Sequence, residues 1–375
     1  MRNFKSGVYI NQGTHKTFLP NKLCRNWVID NMQVLSLLSK ADRCLGRLDM
    51  YSEYVDIELF TRMHIAKEAT QSSKIEGTQT NIEETFLNEK DIKIEKRNDW
   101  EEVQNYILAM NETIGLLQTL PFSTRLIKQT HKILMQGVRG HYKLPGEFRS
   151  TQNWIGGAAL NDAAFIPPVH TEIADLMSDI EFFANNENDN IPDLIKIALI
   201  HYQFETIHPF LDGNGRTGRL LITLYLVNKG ILKRPILYLS DFFERHRMLY
   251  YDNLTIIRTH NDIAQWLKFF LTGIIETAQK GVDTLNAIMQ LKGTAEKKIS
   301  ALGKRGADAR IVINEMYKNP IISAIKVNNL IKRTPQTAYN LIANLERAGI
   351  LKKITDAQRN RLYIFEEYVN LFKTL

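Results

Sequence analysis

The sequence predicts a mainly α-helical protein with one small β-hairpin flap and a compact C-terminal winged helix-turn-helix unit. Three observations carry this prediction. Over most of the 375 residues, apolar side chains recur at spacings of three and four. One stretch, residues 149–169, breaks that rhythm with Gly156-Gly157, Asn161-Asp162 and Pro167-Pro168. Finally, positive charge collects near the C-terminus. Residues 297–361 hold fourteen Lys or Arg against four Asp or Glu, a balance of +10 in a chain of net charge +7. The remainder is therefore near −3, which marks the basic part as a separate module.

Length and composition exclude several classes. A chain of 375 residues can bury a large core and supports two or three domains. Hydrophobic and charged fractions of 44% and 24% are ordinary for a soluble globular protein. The apolar run LLITLYLV, residues 220–227, is far short of the ~20 residues of a membrane helix. MRNFKSGVYI lacks the apolar run of a signal peptide. Cys24 and Cys44 make neither a disulfide framework nor a cysteine zinc site. A cytoplasmic setting and no membrane contact are the expectation.

Four regions follow in order: an N-terminal helical region (1–99), a helical core (100–275), a connecting helix (276–300) and the basic module (301–375). In the first, residues 53–76 read as one helix stopped by Gly77, and Thr80-Asn81-Ile82-Glu83 reads as a capping box opening another. Residues 88–99, NEKDIKIEKRND, read as a loop or hinge. In the core, Trp154-Ile155 and Phe165-Ile166 can pair as the two short strands of the flap. The connecting helix spans about 277–298. In the module, residues 309–317, 324–331 and a third helix from Pro335 to Gly349 precede two strands, 350–354 and 361–365, around the polar tip 356–360. Three helices and a hairpin are the pattern of a winged helix. The charge suits DNA, yet such units also dock proteins, and few basic residues lie within the third helix itself.

The chemistry is concentrated in HPFLDGNGRTGR, residues 208–219. Leu194, Ile197, Ala198, His201 and Phe204 place a helix directly before it, and Pro209 turns the backbone. Gly213-Asn214-Gly215 allows positive φ angles, so that backbone N–H groups converge on an anion. A second helix, starting near Arg216, aims its N-terminus at the same spot. Arg216 and Arg219 share a face and can both reach a phosphate chain. Asp212 offers a hard oxygen ligand for Mg²⁺, and His208 an imidazole able to accept a hydroxyl proton near neutral pH. Base, metal ligand, cradle and charge clamp are what phosphoryl or nucleotidyl transfer requires. On the apolar face of its helix, His201 reads as a core histidine rather than a catalyst.

This stretch resembles the HPFx(D/E)GNGRxxR signature of the Fic family at every defining position. HKILMQGVRGHYKLPGEFRSTQNWIGG, PDLIKIALIHYQFETI and RHRMLYYDNL are similar to segments of a Fic core over residues 100–275. SSKIEG, residues 72–77, resembles the (S/T)xxxE(G/N) inhibitory helix of one Fic class, in which a trailing winged helix is common. The resemblance implies a Fic helical core and AMPylation: transfer of AMP from ATP to a Ser, Thr or Tyr hydroxyl of a target protein. It implies His208 as general base and Asp212 as Mg²⁺ ligand. Gly213, Asn214, Gly215, Arg216, Thr217, Gly218 and Arg219 would bind ATP, with Arg219 on the γ-phosphate. Tyr250 and Tyr251 would line the adenine pocket. Asn153, Trp154, Ile155 and Gly156 would dock a target segment, and Ser72 and Glu76 would inhibit. Self-modification and a homodimer are compatible with it. Two other readings stand beside it: removal of AMP or transfer of another phosphate-containing group, and a nucleotide-sensing, DNA-binding regulator.

Overall fold

A computed structural model of the protein describes residues 4–54, 57–137, 141–354 and 361–374. The chain opens with an antiparallel hairpin, β1 (Gly7–Asn11) and β2 (Lys16–Pro20), paired from Gly7↔Pro20 to Asn11↔Lys16. Two helices follow, α1 (Met32–Tyr54) and α2 (Ile57–Ile75). The helix expected over 53–76 is therefore α2, starting later, and residues 55–56 lie outside those described.

The capping box also shifts by one residue. Asn81 Oδ1 accepts from the Glu84 N–H, and Glu84 Oε2 accepts from the Asn81 N–H, both at 2.9 Å. What it opens is one 3₁₀ turn, Glu84–Phe86, not an α-helix. Residues 88–96 continue as loop with two further short turns, and α3 (Arg97–Leu116) begins inside the expected hinge.

The central helices are α4 (Thr124–Leu134), α5 (Ile173–Asn185), α6 (Asp193–Ile207), α7 (Asn214–Asn228), α8 (Ser240–Arg245) and α9 (Arg247–His260). Helix α6 is buried from Leu194 to Ile207, as suits a helix apolar on nearly every side. It forms the axis of the larger core. The next helix, α10 (Ile263–Ser300), is one 38-residue rod whose Trp266 indole donates to the Ala198 carbonyl of α6 at 2.8 Å. The expected connecting helix is thus the second half of a longer element, because the apolar spacing runs unbroken through residue 275.

The C-terminal unit comprises α11 (Gly306–Lys318), β3 (Ile321–Ser323), α12 (Ala324–Ile331), α13 (Pro335–Arg347), β4 (Lys352–Lys353), β5 (Leu362–Ile364) and α14 (Glu366–Thr374). Thr334 caps α13 by accepting from the Thr337 N–H, with Pro335 in the first turn. The strands form an antiparallel sheet of order β3-β5-β4. The polar tip expected at 356–360 lies outside the described residues. A second, smaller apolar core holds this unit, and Met63 and Ala66 of α2 are part of it. Helix α10 contributes to both cores, with Leu271, Ile274 and Leu285 in the first and Ile288, Ala295 and Ile299 in the second. Among the described residues, no helix is long and apolar enough to cross a membrane.

Candidate active site

Helix α6 ends because Pro209 follows His208, and His208 itself takes a left-handed conformation (φ 49°, ψ 61°). Non-glycine residues adopt this region rarely, so the surroundings must hold it. Buried Arg149 does so: its Nε donates to the His208 carbonyl at 3.0 Å, Nη2 to the Pro168 carbonyl at 2.6 Å and Nη1 to the Thr151 carbonyl at 3.0 Å. The Arg149 N–H adds a bond to the Pro209 carbonyl at 2.9 Å.

Further along, the Asn214 amide closes a ring with the Phe210 backbone, accepting its N–H and donating to its carbonyl, each at 2.9 Å. Asn153 Nδ2 donates to the same carbonyl at 3.0 Å. The Phe210 ring stacks on His131 with centroids 3.7 Å apart. His131 Nδ1 accepts from the Gly146 N–H, which leaves Nε2 to donate to the Asp212 carbonyl, both at 2.9 Å. Burial lowers the His131 pKa to about 4, matching this neutral tautomer. The Thr217 hydroxyl donates to the Gly213 carbonyl at 2.8 Å. The loop is thus held mainly through its carbonyl groups, which accept from Arg149, Asn153, Asn214, His131 and Thr217.

Helix α7 then starts at Asn214, earlier than expected, so Gly213 is the residue with positive φ (+73°) while Gly215 is helical. At Gly213 a Cβ would also sit 2.5 Å from Met135 Sδ. The first-turn N–H groups of α7 have no helical acceptor and open on a cleft of about 320 Å³, lined also by His208, Asp212, Glu76 and Glu102. Here the helix dipole adds to the guanidinium of Arg216, which lines the cleft, with that of Arg219 buried behind Glu76.

Those guanidinium groups are already paired. Arg216 Nη1 bonds Glu102 Oε2 at 2.9 Å, and Nη2 lies 4.0 Å from Asp212 Oδ1. Arg219 is almost fully buried; its Nε donates to Ser72 Oγ and Nη2 to the Ser72 carbonyl, both at 2.9 Å, while Nη2 meets Glu76 Oε1 at 2.7 Å. Burial would push the Glu76 carboxyl up, but Arg219 outweighs it and holds Glu76 below the usual range; Glu76 in turn raises Arg219 against its own burial. The missing side chain of Gly215 lets the carboxylate in, since a Cβ there would lie 2.3 Å from Glu76 Oε1.

Burial, and after it Arg149, lower His208 to about 4, so its imidazole is neutral at physiological pH. Its Nδ1 has no hydrogen-bond partner among the described residues. Asp212 is half exposed, with Oδ1 accepting from the Gly213 N–H at 2.6 Å. No group of three or more His, Cys, Asp or Glu that could hold a metal occurs among the described residues. A lone carboxylate beside a phosphate cradle still suits Mg²⁺, which takes one or two carboxylates and completes its shell with phosphate and water. Burial pushes Glu205, beneath Gly218, up to about 7.

Two expected residues, Tyr250 and Asn153, stand differently. Tyr250 is buried, its hydroxyl donating to His201 Nε2 at 2.9 Å, while His201 Nδ1 donates to the Gly218 carbonyl at 3.0 Å. Both side chains therefore work inside the core, packed with Phe243 and Trp266, and only Tyr251 reaches the surface. Asn153 turns inward to the loop, because the carbonyls of His208 and Phe210 need donors. The flap itself is a loop with one bridge, Ile155↔Phe165, and not a ladder. Asp162 ties it by accepting from the Ala158 and Ala159 N–H groups, and Ile166 pairs outward to Phe18 of β2. Trp154 and Gly156 remain at the flap surface.

The arrangement is a helical bundle with a cleft between a capped loop and a helix N-terminus, flanked by a neutral His, a geometry suited to an anion. Residues 35–115 match the Fic/DOC family N-terminal profile and residues 121–226 the Fic/DOC family profile. The chain thus carries a Fic N-terminal domain followed by a Fic domain. Its fold is that of a Fic family protein from Desulfovibrio desulfuricans G20, with TM-score 0.60 at 19% identity over 91% of this chain and 98% of that one. Among curated relatives, the protein adenylyltransferase Fic of Culex quinquefasciatus is 36% identical over 125 residues, 33% of this chain and 22% of that protein. The protein of the same name from Drosophila erecta is 27% identical over 234 residues, 57% of this chain and 43% of that protein. The chain thus spans well under half the length of these relatives.

Proposed function

We propose that the protein is an adenylyltransferase that moves AMP from ATP to a hydroxyl side chain of a target protein, restrained by its own helix α2. The observation that carries this reading is the pairing of buried Arg219 with Ser72 and Glu76 beside an open anion cleft. In the reaction, the free imidazole of His208 takes the proton of the attacking hydroxyl. The hydroxyl oxygen bonds the α-phosphorus, the bond to the β-phosphate oxygen breaks, and pyrophosphate leaves. The α7 N-terminus and Arg216 hold the phosphates, and Arg219 holds the γ-phosphate once Glu76 withdraws. Mg²⁺, when bound, would be held by Asp212 and would offset phosphate charge. Phosphates beside His208 would raise its pKa from about 4 toward neutrality, improving it as a base on substrate binding. Of the two tyrosines, Tyr251 is the candidate for adenine contact, with Tyr250 positioning it from behind.

Within the C-terminal unit, α11, α12, α13 and the three-stranded sheet fit a winged helix, to which α14 is appended. Lys332, Arg333, Gln336 and Asn340 stand exposed around the start of α13 and favour contact with duplex DNA. The test of the main reading is incubation of the full chain and its Glu76→Gly variant with labelled ATP, Mg²⁺ and a lysate. Label should appear on protein in the variant and vanish with His208→Ala. Absence of protein label in both the full chain and Glu76→Gly would leave the phosphate cradle to another transfer.

A further inference from the structure

Ser72 and Glu76 of α2 address Arg219, but Lys67, Thr70, Gln71 and Lys74, at spacings of three and four, line a cavity on another side of the same helix. It measures about 410 Å³, room for a small organic molecule. The segment after Gly77, with Thr78 and Thr80, and the end of α14, with Phe372 and Lys373, close it. Basic groups dominate: Lys74 is paired with Glu244 and Lys373 with Glu83. Lys67 has no ion pair among the described residues, and burial disfavours its charge, so an anion would relieve it. Gln71 Oε1, Thr78 Oγ1 and Thr80 Oγ1 are buried without a hydrogen-bond partner among the described residues. They are covered as the cavity stands, so a ligand recruits them by a side-chain rotation that breaks no existing hydrogen bond.

We propose that this cavity, on the side of α2 away from the phosphate loop, is a regulatory site for a small phosphorylated molecule. Lys67 supplies the point charge for the phosphate, the two threonine hydroxyls donate, and Gln71 accepts from a ligand hydroxyl. Such a ligand spans the Gly77 turn, touching Lys74 before it and Thr78 and Thr80 after it. Glu76 lies within that span. Filling the cavity therefore draws the end of α2 toward α14 and away from Arg219. This last consequence rests on the inhibitory reading of Glu76, whereas the site does not.

The experiment is calorimetric titration of the full chain with ribose 5-phosphate, with ribose and inorganic phosphate as separate arms. The sugar phosphate should bind at one site, ribose should not, and inorganic phosphate should bind more weakly. Arg219→Ala should keep the binding, and Lys67→Gln should weaken it at least about tenfold while its thermal unfolding stays cooperative. If Lys67→Gln does not fold, Thr80→Val carries the same expectation. Absence of binding, or loss in Arg219→Ala with retention in Lys67→Gln, overturns the site. Hydrogen exchange over residues 72–80 should rise with bound ribose 5-phosphate, and an unchanged rate overturns the coupling to Glu76.

Discussion

The phosphate loop and the C-terminal unit are built on opposite plans. The loop is held by polar side chains, the buried Arg149, His131 and Asn214 and the half-buried Asn153, each bonded to backbone atoms of residues 208–212. The C-terminal unit is held by Val312, Met316, Leu341, Leu345 and Phe365, with its charges outside. An apolar core tolerates small shifts, because dispersion and burial have no fixed direction. A network of directed bonds does not, and what it fixes is position. The difference separates a part whose atoms are individually fixed from a part held chiefly by apolar packing.

Breaking the chemistry without the scaffold is the sharpest test. His208→Ala should lower AMP transfer about 10²–10⁴-fold in steady-state assays while ATP binding by calorimetry stays close to unchanged. Glu76→Gly should raise transfer, self-modification included, by at least about tenfold, since a misplacement of ~1 Å can cost a hundredfold. Adding Arg219→Ala to it should abolish the gain. Equal rates for Glu76→Gly and the unmodified protein on several targets would remove the inhibitory role. Asn214→Ala breaks the scaffold itself. It leaves the Phe210 N–H without its bond, and chemical denaturation should show a loss of about 2 kcal/mol or more.

The acid limb sharpens the comparison further. Transfer needs neutral His208, fully present above its pKa and lost below it. In Glu76→Gly, kcat/KM should hold down to about pH 4 and not fall near 6.5, because burial and Arg149 depress the imidazole. Smallest of all should be Lys332→Gln with Arg333→Gln. Duplex binding should weaken and its salt slope drop by about one per charge removed, with AMP transfer unaltered.

Much of this was legible in the sequence where one short segment carries the signal. The α6–loop–α7 unit and the Gly213 turn follow from local periodicity and turn chemistry, whereas Ser72 and Glu76 stood out only through the resemblance of SSKIEG to a Fic inhibitory helix. The groups that hold the loop were not read as such. Glu102 meets Arg216 across 114 residues and His131 meets Asp212 across 81, and no local pattern announces a partner so distant. The Asn153 amide and the Tyr250 ring were expected at ligand surfaces, but loop carbonyls and the His201 nitrogen claim them. Hairpin β1–β2 and helix α14 escaped because short elements carry too few residues for a period to show.

Helix α10 has a consequence for how the molecule comes apart. At about 1.5 Å per residue its 38 residues reach some 57 Å, and no proline interrupts them. Because its two halves belong to different cores, neither core can melt without fraying a helix the other needs. Heat should therefore remove both in a single calorimetric transition, although their compositions and charges differ as those of separate domains do.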